Sequence, residues 1–198
     1  SYVKTQQDTA TLDKASVVIE QLRGRDDFGA KLAAAALKRT QQPSSYDGVY
    51  YQIDYPMGDV PAGKGVGADI LVRSYRDLGI DLQELVHEDM KKHFRMYPQL
   101  WSQKTTDTNI DHRRVPNLQR FFSRNGLEVP VSRVPSAYDL GDVVVWRLPE
   151  GDTHVGLVVP GPGSRSDEKW TVFNTGEGVQ WGDALLDHEI VGHYRYGK

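Results

Sequence analysis

A chain of 198 residues with 38% hydrophobic and 26% charged content has the composition of a globular protein that buries a core without metals or disulfides. A formal net charge of -3 and a pI near 6.1 argue against a nucleic-acid partner and against an anionic membrane surface. The sequence contains no cysteine, which excludes a disulfide framework, thiolate metal ligands and a cysteine nucleophile. No apolar run approaches the roughly 20 residues that cross a bilayer, so we expect no membrane span.

The N-terminal part of the chain is predicted to form a helical extension over residues 1–42, ahead of a main domain over 43–198. The first 14 residues, SYVKTQQDTATLDK, lack the apolar segment of a signal peptide, which fits either a cytosolic protein or a processed one. Apolar residues at helical spacing between Leu12 and Leu22 predict one helix, and Gly24 ends it. The alanine-rich stretch FGAKLAAAALKRT predicts a second helix, which QQPSS ends.

The middle of the chain combines an irregular tyrosine-rich stretch with three predicted helices. Alternation over residues 50–55 predicts a short strand. The stretch GKGVGADILVRSYRDLGI, residues 63–80, then passes from a glycine-rich turn into an amphipathic helix that Gly79 ends. A second helix begins after Asp81, and a third begins near Pro116 and ends at Gly126.

After residue 130 the pattern becomes that of β-structure. Runs rich in β-branched and aromatic residues cover 143–147, 155–159 and 170–174, with Gly- and Pro-rich turns between them. The final stretch HEIVGHYRYGK predicts one more strand. Helices followed by an antiparallel meander indicate an α+β fold.

Two polar residues at strand ends are candidates for chemistry. His154 lies where the loop PEGDT enters the apolar strand HVGLVV, so it is either an edge histidine or a general base held rigidly by that strand. Asn174 ends the next β-run, where it either starts a turn or, if the two strands pair, orients the His154 ring. The residue types alone leave both alternatives open.

The most polar stretch, NIDHRRVPNL, precedes the third of these helices. Asp111, His112, Arg113 and Arg114 form either a solvated helix entry or a clamp for carboxylate or phosphate groups. The histidines show no HExxH pattern, and GKGVGAD matches neither a P-loop nor GxGxxG, so we expect no metal and no nucleotide cofactor.

The order of these features is that of a papain-like cysteine hydrolase. Such an enzyme needs a nucleophile at a helix N-terminus, then a histidine on a strand, then a polar residue on the following strand. The chain has the glycine turn at the helix start, His154 and Asn174 in this order. Only the nucleophile is missing.

The same stretches closely resemble the DUF1287 family of bacterial proteins, which is itself similar to the NlpC/P60 papain-like cell-wall peptidases. The resemblance covers about residues 45–197 and rests on YPMGDVPAGKGVGADILVRSYRDLGIDLQELVHEDM, NIDHRRVPNLQRFF, LGDVVVWRLPEGDTHVGLVV and NTGEG…GHYRY. Family members read GVC-T/A-D where this chain reads GVGAD, so Gly67 occupies the position of the nucleophilic cysteine.

The resemblance implies a fold, a reaction and a location. The fold would be NlpC/P60-like, with helices packed on a small antiparallel sheet. The active form would be a peptidoglycan hydrolase, an amidase or endopeptidase of the stem peptide, in the periplasm or outside the cell. The resemblance assigns the catalytic positions to Gly67, His154 and Asn174 and requires no cofactor. Without its nucleophile, this sequence should bind muropeptides and not cleave them.

Substrate-binding residues follow from the same resemblance and from the polar stretch described above. These residues are Tyr55, Asp69, Asp111, His112 and Arg113.

Several alternatives remain at this point. The nucleophile is missing either through engineering or through natural loss in a pseudoenzyme that binds cell wall or protein. A third possibility is an antibacterial effector whose residues 1–40 serve delivery or bind an immunity protein. A metal-dependent hydrolase that uses the histidines is a fourth.

Overall fold

The computed structural model describes residues 9–163, 165 and 167–197, so the first eight residues of the predicted extension lie outside the described residues. The described part contains five α-helices and one six-stranded antiparallel sheet, which confirms the predicted α+β class. The helices are α1 (Thr9–Arg23), α2 (Phe28–Arg39), α3 (Gly67–Asp77), α4 (Leu82–Lys92) and α5 (Val115–Asn125). The strands are β1 (Leu127–Glu128), β2 (Val143–Arg147), β3 (Thr153–Pro160), β4 (Lys169–Phe173), β5 (Gln180–Gly182) and β6 (Glu189–Arg195).

The sheet contains the predicted meander and one strand that returns to its other side. Its order is β1-β6-β2-β3-β4-β5, so β2 to β5 follow each other in space as in sequence and β6 pairs with the free edge of β2. The register places His154 opposite Trp146, with Val155 opposite Val145. Strands β1 and β5 have two and three residues, which is too short for an alternating pattern to reveal them.

The first two helices belong to the main hydrophobic core. Ala15, Val18 and Leu22 of α1 are buried in the same cluster as Leu71 of α3 and Leu157 of β3. Helix α2, in which residues 32–37 are all buried, packs between α1, α3 and β3. Its alanines allow this close approach because they carry little volume. The domain boundary after residue 42 stays a prediction, but α1 and α2 share one hydrophobic core with the later helices and the sheet.

Helix boundaries follow the predicted capping residues. The Asp81 side chain accepts a hydrogen bond from the backbone N–H of Gln83 at 3.1 Å and so begins α4. Gly79 lies just after α3 with φ of +82°, a conformation that favours glycine. Helix α5 has a proline in its first turn and is capped at its end by Gly126.

The predicted strand over residues 50–55 is wrong, because the segment is irregular. Side chains, and not a neighbouring strand, satisfy its backbone groups. The backbone N–H of Ile53 donates to Asn109 Oδ1 at 2.8 Å, and the Asp54 carbonyl accepts from Gln83 Nε2 at 2.8 Å. Alternation of residue types does not reveal such long-range partners.

A buried polar cluster explains two of the stretches that carry the family resemblance. Asp142, from LGD, accepts hydrogen bonds from His193 Nε2 at 2.5 Å and from Arg195 Nε at 2.9 Å, both from GHYRY. The His193 ring stacks on Tyr138 with centroids 4.1 Å apart. These contacts join β6 to the loop that enters β2, so these two motifs have a structural explanation.

Candidate functional site

A cavity of about 560 Å³ lies where α3, α5 and β3 meet. It is open at the surface and combines backbone, aromatic, cationic and imidazole groups. Its lining residues are Tyr46, Gly48, Tyr50, Val66, Gly67, Ala68, Trp101, Ile110, Arg113, Arg114, Val115, Pro116, Asp152, Thr153, His154 and Val155. The starts of two helices and of one central strand therefore form one site, which we call the central pocket.

An ion pair holds the helix start on one side of the central pocket. Asp69 Oδ2 accepts the backbone N–H of Val66 at 2.7 Å, which fixes the turn before α3. The same carboxylate receives two hydrogen bonds from Arg113, at 3.0 and 3.1 Å. The Arg113 and Asp69 side chains are 1% and 3% exposed, and Arg113 also donates to the Val49 carbonyl at 3.1 Å. Asp69 and Arg113, two of the five predicted substrate-binding residues, are therefore paired with each other.

Gly67 is the first residue of α3, and it faces β3 at very short range. A Cβ atom built on Gly67 would lie 2.6 Å from the carbonyl oxygen of Val155, closer than real Cβ contacts. Val155 directly follows His154, so this approach sets the distance between the helix start and the histidine strand. Any side chain at position 67 requires β3 or α3 to move.

His154 lines the central pocket from the other side, half-buried, with the Tyr46 ring centroid 6.4 Å from its own. Burial is the largest influence on its pKa and lowers it from the ordinary value of 6.5. A hydrogen bond with the backbone of Asn174 and the charge of Asp152 act in the opposite direction. The net effect keeps the imidazole neutral near pH 7, the form that a general base requires.

Asn174 is buried beside these groups, but its side chain is directed at the glycine turn. Its Nδ2 donates to the Gly65 carbonyl at 3.4 Å, and its Oδ1 accepts from the backbone N–H of Gly176 at 3.2 Å. The contact with His154 comes from the Asn174 backbone. The structure thus brings Gly67, His154 and Asn174 together, with the Asn174 amide bridging to the turn before α3.

Of the five predicted substrate-binding residues, Arg113 alone lines the central pocket; Asp69 does not, and neither do the remaining three. Asp111 is buried and accepts hydrogen bonds from Gln103 Nε2 at 2.8 Å and from the backbone N–H of Asp107 at 2.6 Å. His112 is 2% exposed, and burial lowers its pKa to about 3. The Tyr55 hydroxyl lies 3.2 Å from Glu88 Oε1, on the side of α4.

Two residues of the pocket wall lie outside the predicted substrate-binding set: Trp101, which sequence reasoning missed, and Arg114, which it named in the polar stretch without assigning it to the substrate. The Arg114 guanidinium carbon lies 4.2 Å from the centroid of the Trp101 ring, within the range of a cation–π contact. Trp101 belongs to an irregular segment with no periodic pattern, so the only available signals were the isolated tryptophan and the second arginine of DHRR.

Two further findings concern metals and membranes. Within the described ranges, no group of three or more His, Cys, Asp or Glu side chains is arranged to hold a metal ion. None of the helices in the described part is both long enough and apolar enough to cross a bilayer.

Comparison with known proteins identifies the family. Residues 33–196 match the family described as "Domain of unknown function (DUF1287)". The chain belongs to the DUF1287 family. It is 49% identical over 151 residues to a protein of Escherichia coli K12 called "Uncharacterized protein YijF", covering 76% of this chain and 73% of that relative. No solved structure matches the chain. The DUF1287 match begins inside α2, which fits the position of that helix in the common core.

The short contact at Gly67 predicts a cost for even one methyl group. We expect Gly67→Ala to lower the free energy of unfolding by about 1–2 kcal/mol in chemical denaturation, because overpacking outweighs the helix propensity of alanine. Gly24→Ala is the matched control, since a Cβ there meets its nearest atom at an ordinary 3.5 Å. Equal stability of the two variants would show that β3 has room at Val155.

The buried, neutral His112 predicts a pH dependence of stability. Its pKa is about 3 in the folded protein against 6.5 ordinarily, so the unfolded chain binds a proton that the folded chain excludes. The resulting stabilisation is complete above pH 6.5 and is lost as the pH falls from 6.5 towards 3. Denaturation at several pH values should show a shallower decline for His112→Asn than for the parent. Parallel curves would contradict a neutral His112.

Proposed function

We propose that the central pocket is a papain-like, NlpC/P60-type site for amide bonds of peptidoglycan stem peptides. With glycine at position 67, we expect this chain to bind its ligand without cleaving it. One observation carries the proposal: Gly67 at the N-terminus of α3 and His154 on β3 lie on the wall of the same cavity, and Gly67 packs against the backbone of Val155, the residue after His154. This is the relation between the nucleophile position and the general base in a cysteine hydrolase.

In the active form, a cysteine at position 67 would carry out covalent catalysis. The neutral His154 imidazole takes the proton of the thiol, and the resulting thiolate, stabilised by the imidazolium beside it, attacks the carbonyl carbon of the stem-peptide amide. Backbone N–H groups near positions 67 and 68 would stabilise the oxyanion. His154 then gives its proton to the leaving amine, and water that His154 activates hydrolyses the thioester. Glycine cannot form the acyl intermediate, so with Gly67 the reaction does not go beyond ligand binding.

Asn174 contributes to the proposed site in two ways. Its backbone contact with the imidazole favours one ring orientation, as the third member of a catalytic triad does. Its side-chain amide, donating to the Gly65 carbonyl, couples the end of β4 to the turn before α3. The third residue would therefore act through its backbone on the histidine and through its amide on the nucleophile loop.

The close packing at Gly67 favours a second candidate, a dedicated binding module. A carbonyl oxygen 2.6 Å from a Cβ position leaves no space for a cysteine side chain without rearrangement. A chain that lost its nucleophile and then repacked would show such a contact. In a binding module the same cavity would recognise peptidoglycan, and a cysteine restored at position 67 would not create activity.

Both candidates place the protein with its ligand, in the periplasm or outside the cell. Peptidoglycan lies outside the cytoplasmic membrane, so a muropeptide-binding protein has to reach that compartment.

Digestion of purified sacculi tests the proposal and separates the two candidates. The parent chain, Gly67→Cys, and Gly67→Cys combined with His154→Ala would be incubated with sacculi, and the released fragments identified by mass spectrometry. We expect fragments from Gly67→Cys alone, and sacculus binding by all three proteins. Loss of His154 should reduce the rate by roughly 10²- to 10⁴-fold, the usual contribution of a general base.

The other outcomes are equally informative. A folded Gly67→Cys protein that binds sacculi and releases nothing would support the binding module. Cleavage by the parent chain, or undiminished cleavage without His154, would contradict the assigned chemistry. Failure of the parent chain to bind sacculi or muropeptides would contradict the proposed ligand.

A further inference from the structure

The pocket wall formed by the start of α5 carries an arginine without a counterion. Arg114 is half-buried, lies over the Trp101 ring and donates from Nη1 to Gln103 Oε1 at a long 3.4 Å. Within the described part of the chain, it forms no ion pair. The aromatic ring and the glutamine hold the guanidinium in place and leave its charge uncompensated.

The preceding residue, Arg113, has a structural role and differs from Arg114 in its pairing. Arg113 makes two hydrogen bonds to Asp69 and is completely covered. Its charge is therefore neutralised inside the protein. Arg114 lines the same pocket, yet its direct contacts are a neutral amide and an aromatic ring, with no carboxylate among them. Of the two adjacent cations, Arg114 is the one available to a ligand.

The two carboxylates whose charges raise the pKa of Arg114, Asp107 and Asp111, accept hydrogen bonds from other donors. Asp107 accepts hydrogen bonds from the Tyr50 hydroxyl at 2.8 Å and from the backbone N–H of Asn109 at 2.9 Å. Asp111 is engaged by Gln103 and by the backbone of Asp107. Both charges raise the pKa of Arg114 from a distance, but burial is the larger influence and lowers it. Arg114 has lost hydration without gaining a carboxylate in direct contact.

The helix that follows Arg114 adds positive potential at the same place. Val115 and Pro116, the first two residues of α5, line the central pocket, and the first turn of α5 contains no acidic residue. In α3, by contrast, Asp69 in the first turn compensates the helix end. The uncompensated N-terminus of a helix of 11 residues attracts anions.

We propose that Arg114, held on Trp101 at the start of α5, is the subsite that binds a carboxylate group of the ligand. The planar fork of an arginine matches a carboxylate through two parallel hydrogen bonds. A single free cation suits a single negative charge. The assignment rests on the proposed function in one respect, that the ligand is a stem peptide, which carries free carboxylates beside its amide bonds. The subsite selects acidic peptides. A peptide bound there has its scissile amide bond close to Gly67 and His154.

Calorimetry with a matched pair of peptides tests the subsite in the parent chain, in which we expect no cleavage. The probes are the tripeptide L-Ala-γ-D-Glu-meso-diaminopimelate and the same tripeptide with every carboxylate amidated. We expect the parent to bind the acid at least roughly tenfold more tightly than the amide, and Arg114→Gln to bind both alike. Arg114→Lys should retain part of the preference. Arg95→Gln, which removes the same charge from an exposed position, should keep all of it.

A second measurement makes the subsite testable without any peptidoglycan fragment. Propionate and its neutral analogue propionamide are titrated at constant ionic strength while the NMR signals of the Arg114 Nε–H and the Trp101 indole N–H are followed. We expect propionate alone to shift both signals, and the Trp101 shift to vanish in Arg114→Gln. No propionate shift in the parent, or an undiminished Trp101 shift in Arg114→Gln, would overturn the subsite.

The two measurements distinguish failure of the subsite from failure of the proposed function. If propionate acts through Arg114 but the tripeptide does not bind, the carboxylate subsite stands and the stem-peptide ligand is wrong. If the tripeptide binds and Arg114→Gln keeps the preference for the acid, the ligand stands and the subsite is overturned.

Discussion

The arrangement of the central pocket depends on the buried ion pair between Asp69 and Arg113. Asp69 lies in the first turn of α3, and Arg113 lies in the short 3₁₀ turn just before α5, 44 residues along the chain. Their paired hydrogen bonds bring the starts of two helices to one point, and Arg113 also holds the irregular segment at Val49. Breaking such a buried pair typically costs about 3–5 kcal/mol, because the remaining charge is left without a partner.

The ion pair also determines what each helix start can do chemically. Because Asp69 compensates the end of α3 and Arg113, the free positive charge of the site lies at Arg114 and the end of α5. In the proposed function, the region of bond cleavage and the region of ligand recognition would thereby be separated across one cavity. The short contact between Gly67 and Val155 would then decide whether this separation serves catalysis or binding alone.

Much of the fold was predictable because its signals are local. The ends of α3, α4 and α5 follow from Gly79, Asp81 and Gly126, and the long strands follow from dense runs of β-branched residues. The strand predicted over 50–55 failed because distant side chains satisfy that backbone. No local pattern contains this information.

The candidate site was predictable to a similar, limited extent. His154 and Asn174 could be singled out because each lies at the end of a β-run, and Gly67 because the family resemblance gives the helix start as the nucleophile position. A sequence cannot show whether a polar side chain meets a ligand or another residue of the protein, so Asp69 and Arg113 were assigned to the substrate and Arg114, in the same polar stretch as Arg113, was not. Trp101 was missed because its segment has no periodicity. The backbone contact of Asn174 with His154 was equally inaccessible, since any residue could provide it.

The central claim, that position 67 is a nucleophile position served by His154, is tested most directly by the thiol of Gly67→Cys. The parent contains no cysteine, so this variant has a single thiol whose alkylation by iodoacetamide can be followed against pH. We predict a thiol pKa well below the ordinary value of about 8.5, and a return towards that value when His154→Ala is added. An ordinary pKa that is unchanged by the loss of His154 would contradict the claim.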